Sequence, residues 1–182
     1  MAIFIVLLSV TSSLSTELPP PPSNYDWVNC TEIKGAFLKP IGWYYKQVKQ
    51  DDILGYFITK ENIDEKGEYL TGLFVNVIPQ IPQKKGMSSS NYAKAFIETA
   101  ISEKEIFKKP WTNSMGPFQA YGVALLNRDS QKGDFITHNL AIANDQTGTI
   151  YLLIFESPAE SWESSWKVAE PMLQRFLIDD TI

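Results

Sequence analysis

The sequence predicts an α+β domain: a twisted, mainly antiparallel sheet with helices packed on it. Three observations carry that reading. The run at 150–155 (Ile-Tyr-Leu-Leu-Ile-Phe) has no polar alternation, so it reads as a strand covered on both faces. A helical pattern ending near Ile178 follows it at once. A second stripe, Ala93, Phe96, Ile97, Ala100 and Ile101, recurs at the spacing of one helix face.

The other elements follow in order. Residues 37–43 read as a short strand broken by Pro40 and Gly42, and 44–49 as an extended stretch ending in a turn at 50–52. Residues 54–59 form a strand, 60–68 a polar loop, and 70–78 another strand with Leu73, Val75 and Val77 on one face. A Pro/Lys-rich connection at 79–86 leads to Ser88-Ser89-Ser90-Asn91, a supply of N-cap oxygens for the first long helix. The stretch around 109–117 reads as a loop. Three strands come next, at 118–127, 135–143 and 149–156, joined by turns short enough for hairpins. Ser157 is the predicted N-cap of the last helix, with Pro158 as its first residue and Glu160 as capping-box partner. That helix presents Trp162, Trp166, Ala169, Leu173, Phe176 and Leu177 along one side, and Pro171 predicts a kink or break.

At 182 residues the chain is one domain's worth, with a core large enough to be stable unaided. A formal charge of -5 without Lys/Arg clusters excludes nucleic acid as the expected partner, because phosphate neutralisation needs a basic footprint. The N-terminus reads as an address. Residues 2–10 are an apolar stretch of signal-peptide length, too short to span a bilayer, and small residues follow at 11–15, although no Lys or Arg precedes the run. The predicted division is a signal peptide at 1–15, a Pro-rich linker at 16–32 and a single domain at 33–182. The expected product is an exported protein, periplasmic or secreted, with no stable membrane span after processing. Cys30 stands alone and reads as a small half-buried hydrophobe; no motif implies a metal or another cofactor.

Two short motifs carry a family likeness. Phe37-Leu38-Lys39-Pro40-Ile41-Gly42-Trp43 resembles the Phe-x-x-Pro-x-Gly-Trp opening of PsbP-like domains. Phe155-Glu156-Ser157-Pro158, with Trp162, Trp166 and Glu170-Pro171, resembles their closing strand and helix. The resemblance implies an αβα sandwich, shared by photosystem II accessory proteins, a Ran-binding nuclear transport factor and exported bacterial proteins. It also implies action by binding or by supporting assembly. The expected function is a non-enzymatic module for a protein partner or small ligand.

Candidate site residues are few. Trp111 lies in the loop-like stretch and is a candidate partner anchor, the alternative being packing over a sheet edge; Tyr92 near the helix start is a further candidate, which sequence alone does not bring into the same groove. His138, the sole histidine, falls on the more apolar face of its strand. A pocket around it is the basis of the alternative function, a hydrolase-type enzyme. No motif supplies a catalytic partner for it. The loop at 61–68 fails as a calcium site, because Lys66 occupies a ligand position and Leu73 stands where a glutamate is required.

Overall fold

A computed structural model describes residues 18–51, 53–102, 104–129 and 133–181. The predicted signal peptide lies outside the described residues. Strands β1 (Tyr25–Cys30) and β2 (Gly35–Pro40) form an antiparallel hairpin. The main sheet has seven strands: β3 (Tyr44–Gln50), β4 (Ile53–Thr59), β5 (Gly72–Ile78), β6 (Glu105–Met115), β7 (Phe118–Asn127), β8 (Phe135–Asn144) and β9 (Thr149–Pro158). The lateral order is β3-β4-β5-β9-β8-β7-β6, and every neighbouring pair is antiparallel. The last strand in sequence therefore occupies the centre. The helices are α1 (Ile63–Lys66), α2 (Ile81–Lys85), α3 (Ser89–Ser102) and α4 (Trp162–Gln174).

Strand alternation sorts the core into two layers. On one face Tyr56, Ile58, Leu73, Val75, Tyr151, Leu153 and Phe155 meet the β1–β2 hairpin and α4. On the other, Val123, Leu125, Ala141, Ala143, Ile150 and Leu152 meet α2 and α3. This is the α+β sandwich that the sequence predicts. The chain end closes the first layer: Ala36 and Leu177 exchange backbone hydrogen bonds of 2.9 and 2.8 Å. Gly35 permits that approach, since a Cβ there would lie 2.6 Å from the Leu177 carbonyl oxygen.

Four local expectations change. Tyr25–Cys30 falls in the stretch read as linker, yet it pairs with β2 along its length, and the Tyr25 hydroxyl donates to the Val168 carbonyl at 2.9 Å. Ser157 does not cap a helix. It is a buried strand residue opposite Ile136, because β8 continues far enough to pair with β9 through Pro158. A 3₁₀ turn at Ala159–Ser161 then leads into α4. Ladder hydrogen bonds with β8 outweigh the local capping pattern. Pro171 does not break α4, which runs on to Gln174.

The largest change is β6. The stretch read as a loop is an edge strand with register shifts on either side of Lys108. Pro110 falls inside the second shift, where a missing N–H breaks no regular ladder. Trp111 is thus on a strand, opposite Gly122, and is half-buried with its ring lying over that glycine. A methyl group at Gly122 would overlap the indole. Gly122→Ala is predicted to lower stability by about 1–3 kcal/mol in urea denaturation, as overpacking does. In a Trp111→Ala background most of that cost should vanish. Equal costs in both backgrounds would show that the indole does not sit on Gly122.

Candidate functional site

His138 lies on β8 with its side chain toward α4 and is 3% exposed. Its ring packs against Trp166 at 4.9 Å. Trp166 stacks on Trp162 at 5.2 Å, and both indoles border Phe155. Lys108 on β6 places its Nζ 5.3 Å from the Trp166 ring. The arrangement is a packed aromatic layer that seats α4 on the sheet. The His138 Nε2 is buried and has no hydrogen-bond partner among the described residues. Burial, and next the positive charge of Lys108, push its pKa down to about 4. A sealed neutral imidazole has no route to a substrate, so the hydrolase reading loses the pocket it required.

The sequence-selected residues do not converge. Trp111 shares the α4 side of the sheet with His138, because its partner Gly122 is in register with Leu140 of that layer. Tyr92 is on α3, in the opposite layer, where Lys85 places its Nζ 5.8 Å from the phenol ring. Trp111 and Tyr92 therefore line no common groove.

An open site lies elsewhere, on the half of the α3 face that no helix covers. α3 packs on β7, β8 and β9. A helix is about 10 Å across and strands are about 4.8 Å apart, so one helix covers only two or three of them. The flank β3-β4-β5 lies beyond the reach of α3 on that side. One cross-sheet row runs Lys46, Phe57, Phe74, Ile154, Asn139 and Val123. Phe57 and Phe74 stack at 4.4 Å, and Tyr69 meets Phe57 edge-on at 6.2 Å. Gly55 and Gly72 leave room for this shelf: a Cβ at Gly55 would lie 3.2 Å from the Phe74 ring, and one at Gly72 would lie 3.0 Å from Tyr69. The three aromatic side chains are half-buried.

The loop carrying α1 walls the shelf. The Asn62 side chain accepts a hydrogen bond from the Asp64 N–H at 3.1 Å and caps that short helix. The Glu61 carboxylate accepts from the backbone N–H groups of Leu70 and Thr71, both at 3.1 Å. Asp64 pairs with Lys46 across the opening. Tyr69 is anchored by Glu156; its pKa is raised by burial first and then by the charge and hydrogen bonding of that carboxylate. The result is a groove of about 450 Å³ lined by Lys46, Val48, Phe57, Ile63, Glu68 and Tyr69. It has an aromatic floor and a charged rim. Sequence alternation puts Phe74 opposite to Leu73 and Val75, but only the lateral order of strands shows that α3 does not reach it.

The buried histidine has a consequence for stability. Its ordinary pKa is near 6.5, and the folded value of about 4 is lower, so the unfolded chain binds the extra proton first. The contribution is fully present above about pH 6.5 and is lost as the pH falls toward about 4, roughly 3 kcal/mol in all. Urea denaturation across that range should show the decline, and His138→Gln should flatten it. Parallel pH profiles for the two proteins would contradict a buried neutral His138.

No family model matches the chain. No curated protein matches it. Solved structures do. Cyanobacterial PsbP (CyanoP) from Synechocystis sp. PCC 6803 superposes with a TM-score of 0.54 at 13% identity, covering 93% of this chain and 98% of its own. The Ran-binding protein Mog1p of Saccharomyces cerevisiae superposes with a TM-score of 0.52 at 13% identity, covering 87% of this chain and 97% of its own. Both likenesses extend over nearly the whole described domain, with the strands and helices the motifs at 37–43 and 155–171 implied. The chain has the PsbP-like fold.

Proposed function

We propose that the protein is an exported, non-catalytic PsbP-like module that binds a partner through the half-open groove on the β3-β4-β5 flank. The single observation that carries this reading is the half-buried Phe57, stacked on Phe74 beyond the reach of α3 and lining the groove with Tyr69. An aromatic centre inside a charged rim is how protein interfaces are commonly built. The similar fold of Mog1p, described as Ran-binding, supports a protein partner over a small ligand. The apolar stretch at 2–10 supports export, and no described helix is long and apolar enough to cross a membrane.

Affinity capture from the source cells should recover a partner with the unaltered protein and with Trp111→Ala. Phe57→Ala should lose it, with affinity falling about 30-fold or more if the ring is a central anchor. Identical partners from all three proteins would overturn the groove as the binding site. N-terminal sequencing of the protein isolated from its source tests export separately: the expected chain starts after Ser15, and an intact residue 2 would contradict it.

A further inference from the structure

The two edges of the main sheet are built in opposite ways. β6 is guarded against further pairing by two register shifts, by Pro110 and by the consecutive Lys108 and Lys109. β3 also bears two lysines, Lys46 and Lys49, but has neither a register shift nor a proline. It pairs residue for residue with β4 from Tyr44↔Thr59 to Gln50↔Ile53, contains no proline, and is the terminal strand. Its side chains Tyr44, Tyr45 and Val48 are 46%, 36% and 40% exposed. Among the described residues no strand pairs with its outer edge.

We propose that the β3 edge docks a second copy of this chain, antiparallel about Gln47, so that two seven-stranded sheets become one. The strand's own sequence, Tyr-Tyr-Lys-Gln-Val-Lys-Gln, is complementary to itself in that register. Tyr44 stands opposite Gln50 of the second copy, Tyr45 opposite Lys49, Lys46 opposite Val48, and Gln47 opposite Gln47. Neither lysine stands directly opposite a lysine. Pairings centred on Lys46 or Lys49 would set like charges face to face, which opposes them. Centring on Val48 drops Tyr44 and Tyr45 out of the ladder. The lysines thus select the one register that uses the whole strand.

The surrounding charges agree with this pairing. Lys46 already has Asp64 as its ion partner and can lie against Val48 of the second copy as a neutralised side chain. On the other face Gln47 donates to Glu32 at 2.8 Å. That hydrogen bond, with Lys49 nearby, holds the Glu32 carboxyl below its usual range. Each copy therefore brings one Lys49 and one Glu32 to the two-fold. Because antiparallel partners share a face, the two aromatic shelves would lie on one continuous surface. An edge of this length, about 23 Å, is small for an interface, so the association is weak and concentration-dependent.

Sedimentation equilibrium of the full chain over a wide concentration range tests the proposal, with circular dichroism to confirm folding. The expected result is a monomer–dimer equilibrium. Val48→Lys places two new Lys–Lys oppositions at the interface and should weaken it roughly fivefold or more. Val48→Glu places two Lys–Glu pairs there and should strengthen it by a similar factor. Hydrogen exchange should show β3 amides protected as concentration rises while β6 amides stay unchanged. A monomer at every concentration overturns the proposal. So does a dimer indifferent to both substitutions, or one that weakens equally with each. Capture of an extended strand from a different protein on β3, without self-association, also overturns it.

Discussion

The structure depends on β9 holding the centre of the sheet. Its residues Thr149 to Leu153 are buried, and it pairs with β5 on one side and β8 on the other. Tyr151, Leu153 and Phe155 serve the α4 layer, while Ile150 and Leu152 serve the α3 layer. One strand therefore belongs to both cores. Because it is the last strand in sequence, β5 and β9 pair only after the chain between them has folded back, and this long-range closure joins the two halves of the sheet.

The two faces that β9 separates have different fates. The α4 face is closed from β4 to β8 by the hairpin, by the bonds between Ala36 and Leu177, and by stacked tryptophans over His138. The α3 face is closed over only part of its width. Closure makes the first face scaffold and consigns its histidine to neutrality. Incomplete closure leaves the second face with Phe57, Phe74 and Tyr69 at its surface, held in place by Glu61, Asn62 and Glu156 rather than by a covering helix. The residues most conspicuous in the sequence and the residues most available to a ligand are thus different sets.

Legibility followed burial. The central strand could be read because a fully buried strand has no polar alternation, and α3 because its apolar stripe repeats with the helix period. β6 could not be read, since an edge strand that is exposed along most of its length bears no burial pattern and Pro110 argues against a strand. β1 was hidden for a related reason: it follows a polyproline stretch, and its pairing with β2 is what makes it a strand. The Ser157 pattern was a sound local cap that lost to tertiary register. The groove required the lateral order of strands, which no local feature encodes. Phe57 and Phe74 are far apart in sequence and meet only because β4 and β5 pair at that register.

Native-state hydrogen exchange, read residue by residue in low denaturant, tests most directly the claim that β9 holds two unequal faces together. Amides of β8 and β9 should exchange only through global unfolding, with the full stability of the domain. Amides of β3, β4 and the loop carrying α1 should exchange through smaller openings, as expected for a flank without a covering layer. If β9 instead opened below the global free energy while the β3-β4 flank stayed protected, the centre of the structure would lie elsewhere and the account would be wrong.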